Sequence, residues 1–288
     1  MNAALKIIID SSIGAYHNFI ESVTNPLMHN NYFYLLLVIS LACWGLEILF
    51  PWRKDQKLFR KDFWLDAFYM IFNLFLFYIA GYAALSNVGV NLFNDFLTLF
   101  DVQNIVVLKL YDSPKWLQYF TMFVVADFIH WNIHRLLHRV PFLWKFHKVH
   151  HSVKEMGFAA HLRFHWFESI FYKSIQYIPV AMIGFGLQDF FLMHIVTISL
   201  GHLNHSNLNL SYGPLKYIFN NPKMHIWHHA KNLPKGSSGV NFGISLSVWD
   251  YLFKTDYIPY SGKDIELGFD HLEDYPEKFG GQMIDPFK

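Results

Sequence analysis

His147-Lys-Val-His-His151 is the stretch that decides how this chain folds, and the same spacing returns at His225-Ile-Trp-His-His229. Fourteen of the seventeen histidines lie between His130 and His229. Residues three and four apart share one face of a helix, so we expect the three imidazoles of each triplet to meet at one point. Two such triplets predict two metal ions.

Other histidines recur at helical spacing around these triplets, at His134 and His138 and at His202 and His205. A single zinc ion needs only about four ligands. A zinc-protease helix also carries a glutamate between its histidines, whereas each triplet here has two non-acidic residues in that place. The pattern therefore excludes a zinc protease. Imidazole binds iron, copper and zinc, so the ligand type alone leaves the metal open.

The composition indicates a membrane protein, with 53% hydrophobic, 19% aromatic and only 16% charged residues. A net charge of +1 and the lack of a basic stripe with stacking aromatics argue against a nucleic acid partner. Cys43 is the only cysteine, which excludes a disulfide framework and a thiolate-rich metal site.

Apolar runs predict three membrane spans. Residues 32–52 contain Glu47 as their only charge, and residues 63–88 contain only Asp66, near their start. Both runs reach the roughly 20 residues that a bilayer requires. A third span is expected to begin near Trp116 and to carry the first histidine pair at its cytoplasmic end.

The charges predict which side of the membrane each segment occupies. Residues 53–62 hold five positive and two negative charges, which places them in the cytoplasm and the N-terminus outside. The two triplets can share a site only if an even number of crossings separates them. The apolar run of residues 170–205, interrupted at Gly184-Phe-Gly186, is therefore expected to form a helical hairpin, re-entrant or barely spanning.

The expected fold is an all-α integral membrane bundle with three spans, a helical hairpin and a cytoplasmic, histidine-rich helical cap. Residues 1–31 are expected to form an interfacial N-terminal segment, because they lack the cleavage site of a signal peptide. No linker, low-complexity tract or repeat divides the rest, so residues 32–288 are predicted to be one domain.

Five motifs in order resemble the fatty acid hydroxylase and sterol desaturase superfamily. They are Asp127-Phe-Ile-His-Trp-Asn-Ile-His-Arg-Leu-Leu-His138, His147-Lys-Val-His-His-Ser152, His205-Ser-Asn207, Asn221-Pro-Lys-Met-His-Ile-Trp-His-His229, and the tail from Asn241-Phe-Gly243 to Trp249-Asp-Tyr-Leu-Phe-Lys-Thr255. The tail is most similar to the alkylglycerol monooxygenase branch. The resemblance covers residues 120–257 and places the histidine boxes at 127–229.

The resemblance implies two iron ions and a set of imidazole ligands. The implied ligands are His134, His138, His147, His150, His151, His205, His225, His228 and His229. His202 and His165 are further candidates, although Trp166 stands where many members have a proline after that histidine. Asp127 is expected to hold a ligand imidazole in one tautomer, or to cap its helix or pair with Arg135. His130 and His161 are expected to lie beside the ligands or at the interface.

The resemblance also implies an O₂-dependent enzyme that hydroxylates or desaturates a C–H bond of a lipid such as a sterol, a fatty acyl chain or an alkyl ether lipid. The tail motif favours hydroxylation or ether cleavage. Its reductant is expected to be a separate cytochrome b5-type, ferredoxin-type or pterin donor. The metal site is expected on the cytoplasmic side of a bacterial inner membrane or the endoplasmic reticulum. A membrane di-zinc hydrolase and a non-enzymatic metal-binding membrane protein are the alternatives.

Overall fold

The computed structural model describes residues 3–27, 31–76, 95–101, 110, 112–169, 172, 175–176, 185 and 187–288. Nine α-helices are delimited in this part of the chain: α1 Ala3–Thr24, α2 Tyr32–Leu49, α3 Phe63–Leu76, α4 Lys115–Arg139, α5 Pro141–His151, α6 Leu187–His205, α7 Pro222–His228, α8 Val248–Leu252 and α9 Phe279–Ile284. Short 3₁₀ helices occupy Phe158–Leu162, Gly213–Tyr217, Leu272–Asp274 and Asp285–Phe287. The described residues contain isolated β-bridges but no strand, which confirms the all-helical class.

The two helices that carry the histidine triplets have sharply defined starts. Pro141 occupies the first turn of α5, directly after α4 ends at Arg139. Asn221 caps α7, because its side-chain oxygen accepts a hydrogen bond from the Met224 amide at 3.1 Å, and Pro222 follows at the first helical position. These starts fix the rotation of each helix and hence the direction in which its histidines point.

Helix α2 is the only helix in the described part of the chain whose length and composition allow it to cross a membrane. Its apolar side chains are largely exposed, with Val38 at 62%, Leu41 at 53% and Leu49 at 70%. An exposed apolar helix suits a lipid environment better than water. The count of three spans stays a prediction.

The other predicted spans correspond in part to described helices. Helix α3 forms the start of the second run, and residues 77–88 lie outside the described residues. Helix α4 is continuous over 25 residues, as expected for the third run. Helix α6 is the second half of the predicted hairpin, whereas most of its first half and Gly184 and Gly186 lie outside the described residues.

The chain groups into two compact units. The first comprises Met1–Leu36, Asn73–Ile129 and Ser169–Val196. Within it, the Asn31 side chain donates to the Ser22 carbonyl at 2.7 Å, which joins the end of α1 to the start of α2. The division into an interfacial segment of residues 1–31 and one domain of residues 32–288 stays a prediction.

The second unit comprises Leu37–Phe72, His130–Glu168 and Thr197–Lys288, and it contains every predicted histidine ligand. Its apolar core lies against the backs of the histidine helices. Ile226 and Trp227, which separate the histidines of α7, pack with Trp52, Val153 and Met156. One face of α7 is therefore fixed by apolar burial, and the opposite face presents imidazoles.

Candidate metal centre

Nine buried or half-buried histidines gather into two clusters. The first cluster consists of His134, His138, His147, His151 and His228, and the second consists of His150, His205, His225 and His229. Within each cluster the candidate ligand atoms all lie within 4.8 Å of one another. These nine are the residues that the sequence pattern and the resemblance together nominate as the main ligands.

The two triplets do not each converge on one point, contrary to the expectation from their spacing. In α5, His147 and His151 join the first cluster and His150 joins the second. The second triplet is divided the other way. His228 joins the first cluster, and His225 and His229 join the second. Successive residues point about 100° apart on a helix, so the adjacent histidines of each triplet diverge towards different clusters.

Backbone carbonyls of residues 238–242 orient three imidazoles of the first cluster. The Nδ1 contacts are His134 to Phe242 O at 2.7 Å, His228 to Val240 O at 2.7 Å and His138 to Ser238 O at 3.2 Å. A carbonyl oxygen only accepts hydrogen bonds, so each Nδ1 must carry the proton and each Nε2 retains its lone pair. Ligand imidazoles in metal sites are commonly held in this way.

The distances between imidazole nitrogens fit shared cations. His134 Nε2 lies 3.2 Å from His147 Nε2, and His205 Nε2 lies 3.2 Å from His150 Nε2 and 3.0 Å from His225 Nε2. Two nitrogens bound at about 2.1 Å to one cation are separated by about 3.0–3.4 Å when they subtend about 90–110°. Without a cation or a proton between them, the facing lone pairs of His134 and His147 would repel.

Buried nitrogens without a hydrogen-bond partner among the described residues provide the second test of fit. They include Nε2 of His138, His151 and His228 and both ring nitrogens of His229. Leaving a buried polar atom unpaired costs about 1–3 kcal/mol. A metal bound in each cluster would satisfy the three Nε2 atoms of the first cluster and one nitrogen of His229, so the residues present fit two metal ions.

Burial also keeps the imidazoles in their metal-binding form. The pKa values of His150, His151, His225, His228 and His229 are held well below the usual value, first by burial and then by repulsion from neighbouring imidazoles. These rings are consequently neutral at neutral pH. A neutral imidazole has the free lone pair that a metal ion requires.

Glu168, which lies outside the five sequence motifs, contacts the first cluster directly. His147 Nδ1 donates to Glu168 Oε1 at 2.9 Å, and both side chains are at most 4% exposed. The contact fixes the His147 tautomer and raises the basicity of its Nε2. No spacing rule could reveal it, because the two residues lie 21 positions apart and meet through the turn of the chain at residues 152–165.

Replacing Glu168 with glutamine is expected to weaken metal binding by about 10–100-fold, the usual effect of losing the charged partner of a ligand imidazole. The amide keeps the shape and can still accept a hydrogen bond, but it no longer raises the basicity of His147. Titration of the apoprotein with metal measures the change. Glu155→Gln, at an exposed position, serves as the control. Equal affinities in the two variants would show that Glu168 has no influence on the metal.

Asp250 organises the carbonyl that holds His134. It is fully buried and accepts from Trp131 Nε1, the Phe242 amide, the Gly243 amide and Thr255 Oγ1, at 3.0, 2.9, 2.8 and 2.6 Å. These four bonds fix the backbone at Phe242, whose carbonyl accepts from His134. The closing motif of the sequence thus has a structural role with a direct connection to the first cluster.

The remaining candidates lie outside both clusters. His165 Nε2 contacts the Met283 carbonyl at 3.0 Å and its Nδ1 accepts from the Phe167 amide at 3.1 Å. His202 contacts Ser40 Oγ at 3.1 Å and His161 Nδ1 at 3.2 Å. Within the described part of the chain, neither belongs to a group of ligand atoms that could hold a metal.

Asp127 and His130 lie one turn apart on α4, and neither belongs to a cluster. Asp127 is 5% exposed and falls in the first unit, three residues before His130. Its proposed role as a carboxylate that supports a ligand stays a prediction. Among the described contacts, Glu168 is the carboxylate that meets a cluster imidazole.

Comparison with known proteins agrees with the motifs. A family model described as "Fatty acid hydroxylase" matches residues 119–255. The ornithine lipid hydroxylase OlsE of Rhizobium tropici is 34% identical over 164 residues, which are 57% of this chain and 48% of that protein. The alkylglycerol monooxygenase of Xenopus tropicalis is 31% identical over 178 residues, which are 60% of this chain and 37% of that protein.

A plant relative extends the range of substrates named among similar proteins. The methylsterol monooxygenase 1-1 of Arabidopsis thaliana is 26% identical over 137 residues, which are 46% of this chain and 45% of that protein. The chain thus spans about half or less of the length of these curated relatives. No solved structure matches the chain.

Proposed function

Because the chain carries a fatty acid hydroxylase domain over residues 119–255, we propose that it is a membrane-bound di-iron oxidoreductase that uses O₂ to hydroxylate a C–H bond of a lipid. The observation that carries this proposal is the division of nine imidazoles into two clusters, each of a size that suits one cation. The relatives with printed lipid hydroxylase and monooxygenase activities support the reaction class.

Iron is favoured over zinc by the relatives, because oxidation of a C–H bond by O₂ needs a redox-active metal. A pair of iron ions would supply the O₂ activation that amino-acid side chains cannot. The nine imidazoles would hold these ions, with four or five nitrogen donors available to each. The proposed ligand set therefore consists of neutral donors alone.

The chain's own residues hold the ligands and exclude water from the second cluster. Carbonyls of residues 238–242 and the Glu168 carboxylate keep Nδ1 of four first-cluster imidazoles protonated, so that every Nε2 faces the cation. Every ring of the second cluster is at most 2% exposed. A rigid, dry ligand set lowers the cost of reorganisation during the reaction.

The balance of hydroxylation requires an external reductant. One oxygen atom of O₂ enters the C–H bond to form an alcohol, and the other leaves as water with two electrons and two protons. We propose a separate cytochrome b5-type, ferredoxin-type or pterin donor for these electrons.

Hydroxylation is preferred to desaturation, because the relatives named above are a hydroxylase and two monooxygenases. The substrate is proposed to be a lipid drawn from the membrane in which α2 resides. Ile48, Leu49 and Phe50, at the end of that helix, are 48%, 70% and 66% exposed, as lipid-facing residues would be. The proposed location is a bacterial inner membrane or the endoplasmic reticulum, with the metal clusters on the cytoplasmic side.

A labelled-oxygen experiment tests the reaction type. Detergent-purified protein loaded with iron is given a lipid extract, a reductant and ¹⁸O₂, and the lipids are examined by mass spectrometry. We expect one ¹⁸O atom in the product and none when the label is in water. A membrane di-zinc hydrolase would instead act without O₂ or reductant and would take its oxygen from water, and that outcome would contradict the proposal.

A further inference from the structure

The two clusters differ in their exposure to solvent. All four rings of the second cluster are at most 2% exposed. In the first cluster His138 is only half-buried, and it is the sole member of the nine that is not buried. Solvent therefore approaches one cluster more closely than the other.

A surface cleft leads to the first cluster. It encloses about 450 Å³, and its floor is formed by His138, His151 and His228 together with Trp144. Its rim includes the exposed residues Lys235 and Asp270. No residue of the second cluster lines it. The volume lies within the range of about 300–1,000 Å³ that small-molecule sites commonly occupy.

The nitrogens at the floor of the cleft are free to bind a ligand. Nε2 of His138, His151 and His228 has no hydrogen-bond partner among the described residues, although all three atoms are buried. A cation held by these atoms would therefore lie at the inner end of the cleft. Water or a small chelator in the cleft would therefore be separated from that cation only by the side chains that line its floor.

The second cluster is covered by packed rings. Phe164 stacks on His150 with centroids 4.7 Å apart and planes at 19°, and His161 lies against His205 at 5.1 Å. His202 packs in turn against His161 at 5.1 Å and is fully buried. On the side that these described rings cover, a molecule could reach a cation only if the rings moved apart, which requires a local opening of the fold.

We propose that the cleft is the route by which the cation of the first cluster enters and leaves, so that the two metal ions exchange with solvent at different rates. The inference rests on the proposed metal-binding function of both clusters. It adds that the first cluster loads and unloads directly, whereas the second exchanges only when the fold opens. Release of a metal requires its ligands to be replaced stepwise by water or by a competitor. Among the described residues, the cleft brings such molecules next to ligands of the first cluster, whereas packed rings cover the second.

Removal of metal by EDTA tests the proposal on the full-length, metal-loaded protein. Samples are taken over time, freed of chelator and assayed for metal per chain. We expect two phases of similar amplitude, with rates that differ by at least about tenfold, equivalent to ~1.4 kcal/mol in the barrier. Loss of both ions in one phase would overturn the inference. A protein that binds no metal at all would instead contradict the proposed function.

Two variants connect the fast phase to the cleft. Lys235→Trp places an indole at the rim and is expected to slow the fast phase several-fold, leaving the slow phase unchanged. Asn232→Trp, an exposed position in the same segment that does not line the cleft, is the matched control and should leave both rates unchanged. Equal slowing by both variants, or no slowing by either, would show that metal does not leave through the cleft.

A third variant assigns the phases to the clusters. His205→Ala removes a ligand of the second cluster only. The ion that remains should be released at the fast rate of the wild-type protein. Release at the slow rate would place the accessible ion in the second cluster and would refute the assignment.

Discussion

His150→Ala and His228→Ala are each expected to lose metal and to abolish lipid oxidation, whereas the wild-type protein binds about two iron ions per chain. His150 belongs to the four-membered second cluster and His228 to the five-membered first cluster. Each substitution removes a direct donor. The effect of His150→Ala, which leaves only three donors in its cluster, should therefore exceed the roughly 10–100-fold loss that is typical of a residue supporting a ligand.

The two variants should differ in the amount of metal that they retain. His150→Ala leaves three donors in the second cluster, and His228→Ala leaves four in the first. We therefore expect His228→Ala to keep more metal, because four imidazoles still satisfy a tetrahedral ion. Metal analysis of the purified variants measures this, with His17→Ala on the exposed face of α1 as control. Full metal content in both variants would refute the proposed ligand set.

The nine clustered histidines, the candidate ligands, could be predicted from the sequence because helical spacing is a local property. Pairs such as His147 and His151 share a face of α5 whatever surrounds that helix. The division of each triplet between two clusters follows from the same geometry, since neighbours such as His150 and His151 point about 100° apart. The prediction that the three imidazoles of each triplet meet at one point did not take this angle into account.

The groups that orient the ligands could not be predicted in this way. The carbonyl of Phe242 meets His134 across 108 positions of the chain, and Glu168 meets His147 across 21. Such contacts depend on how the segments pack and leave no periodic signal. For His202, spacing alone is misleading. Its distance from His205 along the chain suggests a ligand, but its ring contacts Ser40 and His161.

The sequence also predicted which segments form helices better than it predicted the contacts that their side chains make. Apolar runs predicted α2 and the continuous α4, and both are present. In the sequence, Asp66 is notable only as the single charged residue of the apolar run at residues 63–88. In the structure it is fully buried between Arg60 and Arg163, the second of which lies 97 positions away. A buried carboxylate implies such partners, but the sequence does not identify them.

Arg163→Met is expected to destabilise the fold by about 3–5 kcal/mol, because it leaves a buried carboxylate with too little positive charge. Arg163 is fully buried, and its Nε donates to Asp66 Oδ1 at 2.6 Å. Burial alone would lower the pKa of Arg163, but the carboxylates of Asp66 and Asp62 raise it above its ordinary value. The guanidinium therefore stays charged, and its removal takes a positive charge away from the Asp66 carboxylate.

Chemical denaturation of the metal-loaded protein measures the effect on stability. Lys61→Met, which breaks the exposed ion pair with Glu277, is the matched control and should leave the stability almost unchanged, because an exposed ion pair contributes little. Adding Asp62→Asn to Arg163→Met should restore part of the lost stability, because Arg60 still pairs with Asp66, whereas the Asp62 carboxylate has lost the Arg163 guanidinium. If the double variant is no more stable than Arg163→Met, the ion pair is not the cause of the loss.

The same substitution should also weaken metal retention, because Arg163 is connected to the first triplet. Its Nη1 donates to Ser152 Oγ at 3.1 Å, and Ser152, the residue after His151, donates in turn to the Val149 carbonyl at 2.7 Å. These bonds hold the last turn of α5, where His150 and His151 point to different clusters. Loosening that turn displaces one donor from each cluster, so both ions should be bound more weakly in Arg163→Met. Lys61→Met leaves the turn intact, and a comparison of metal affinity in the two variants separates this effect from a general loss of surface charge.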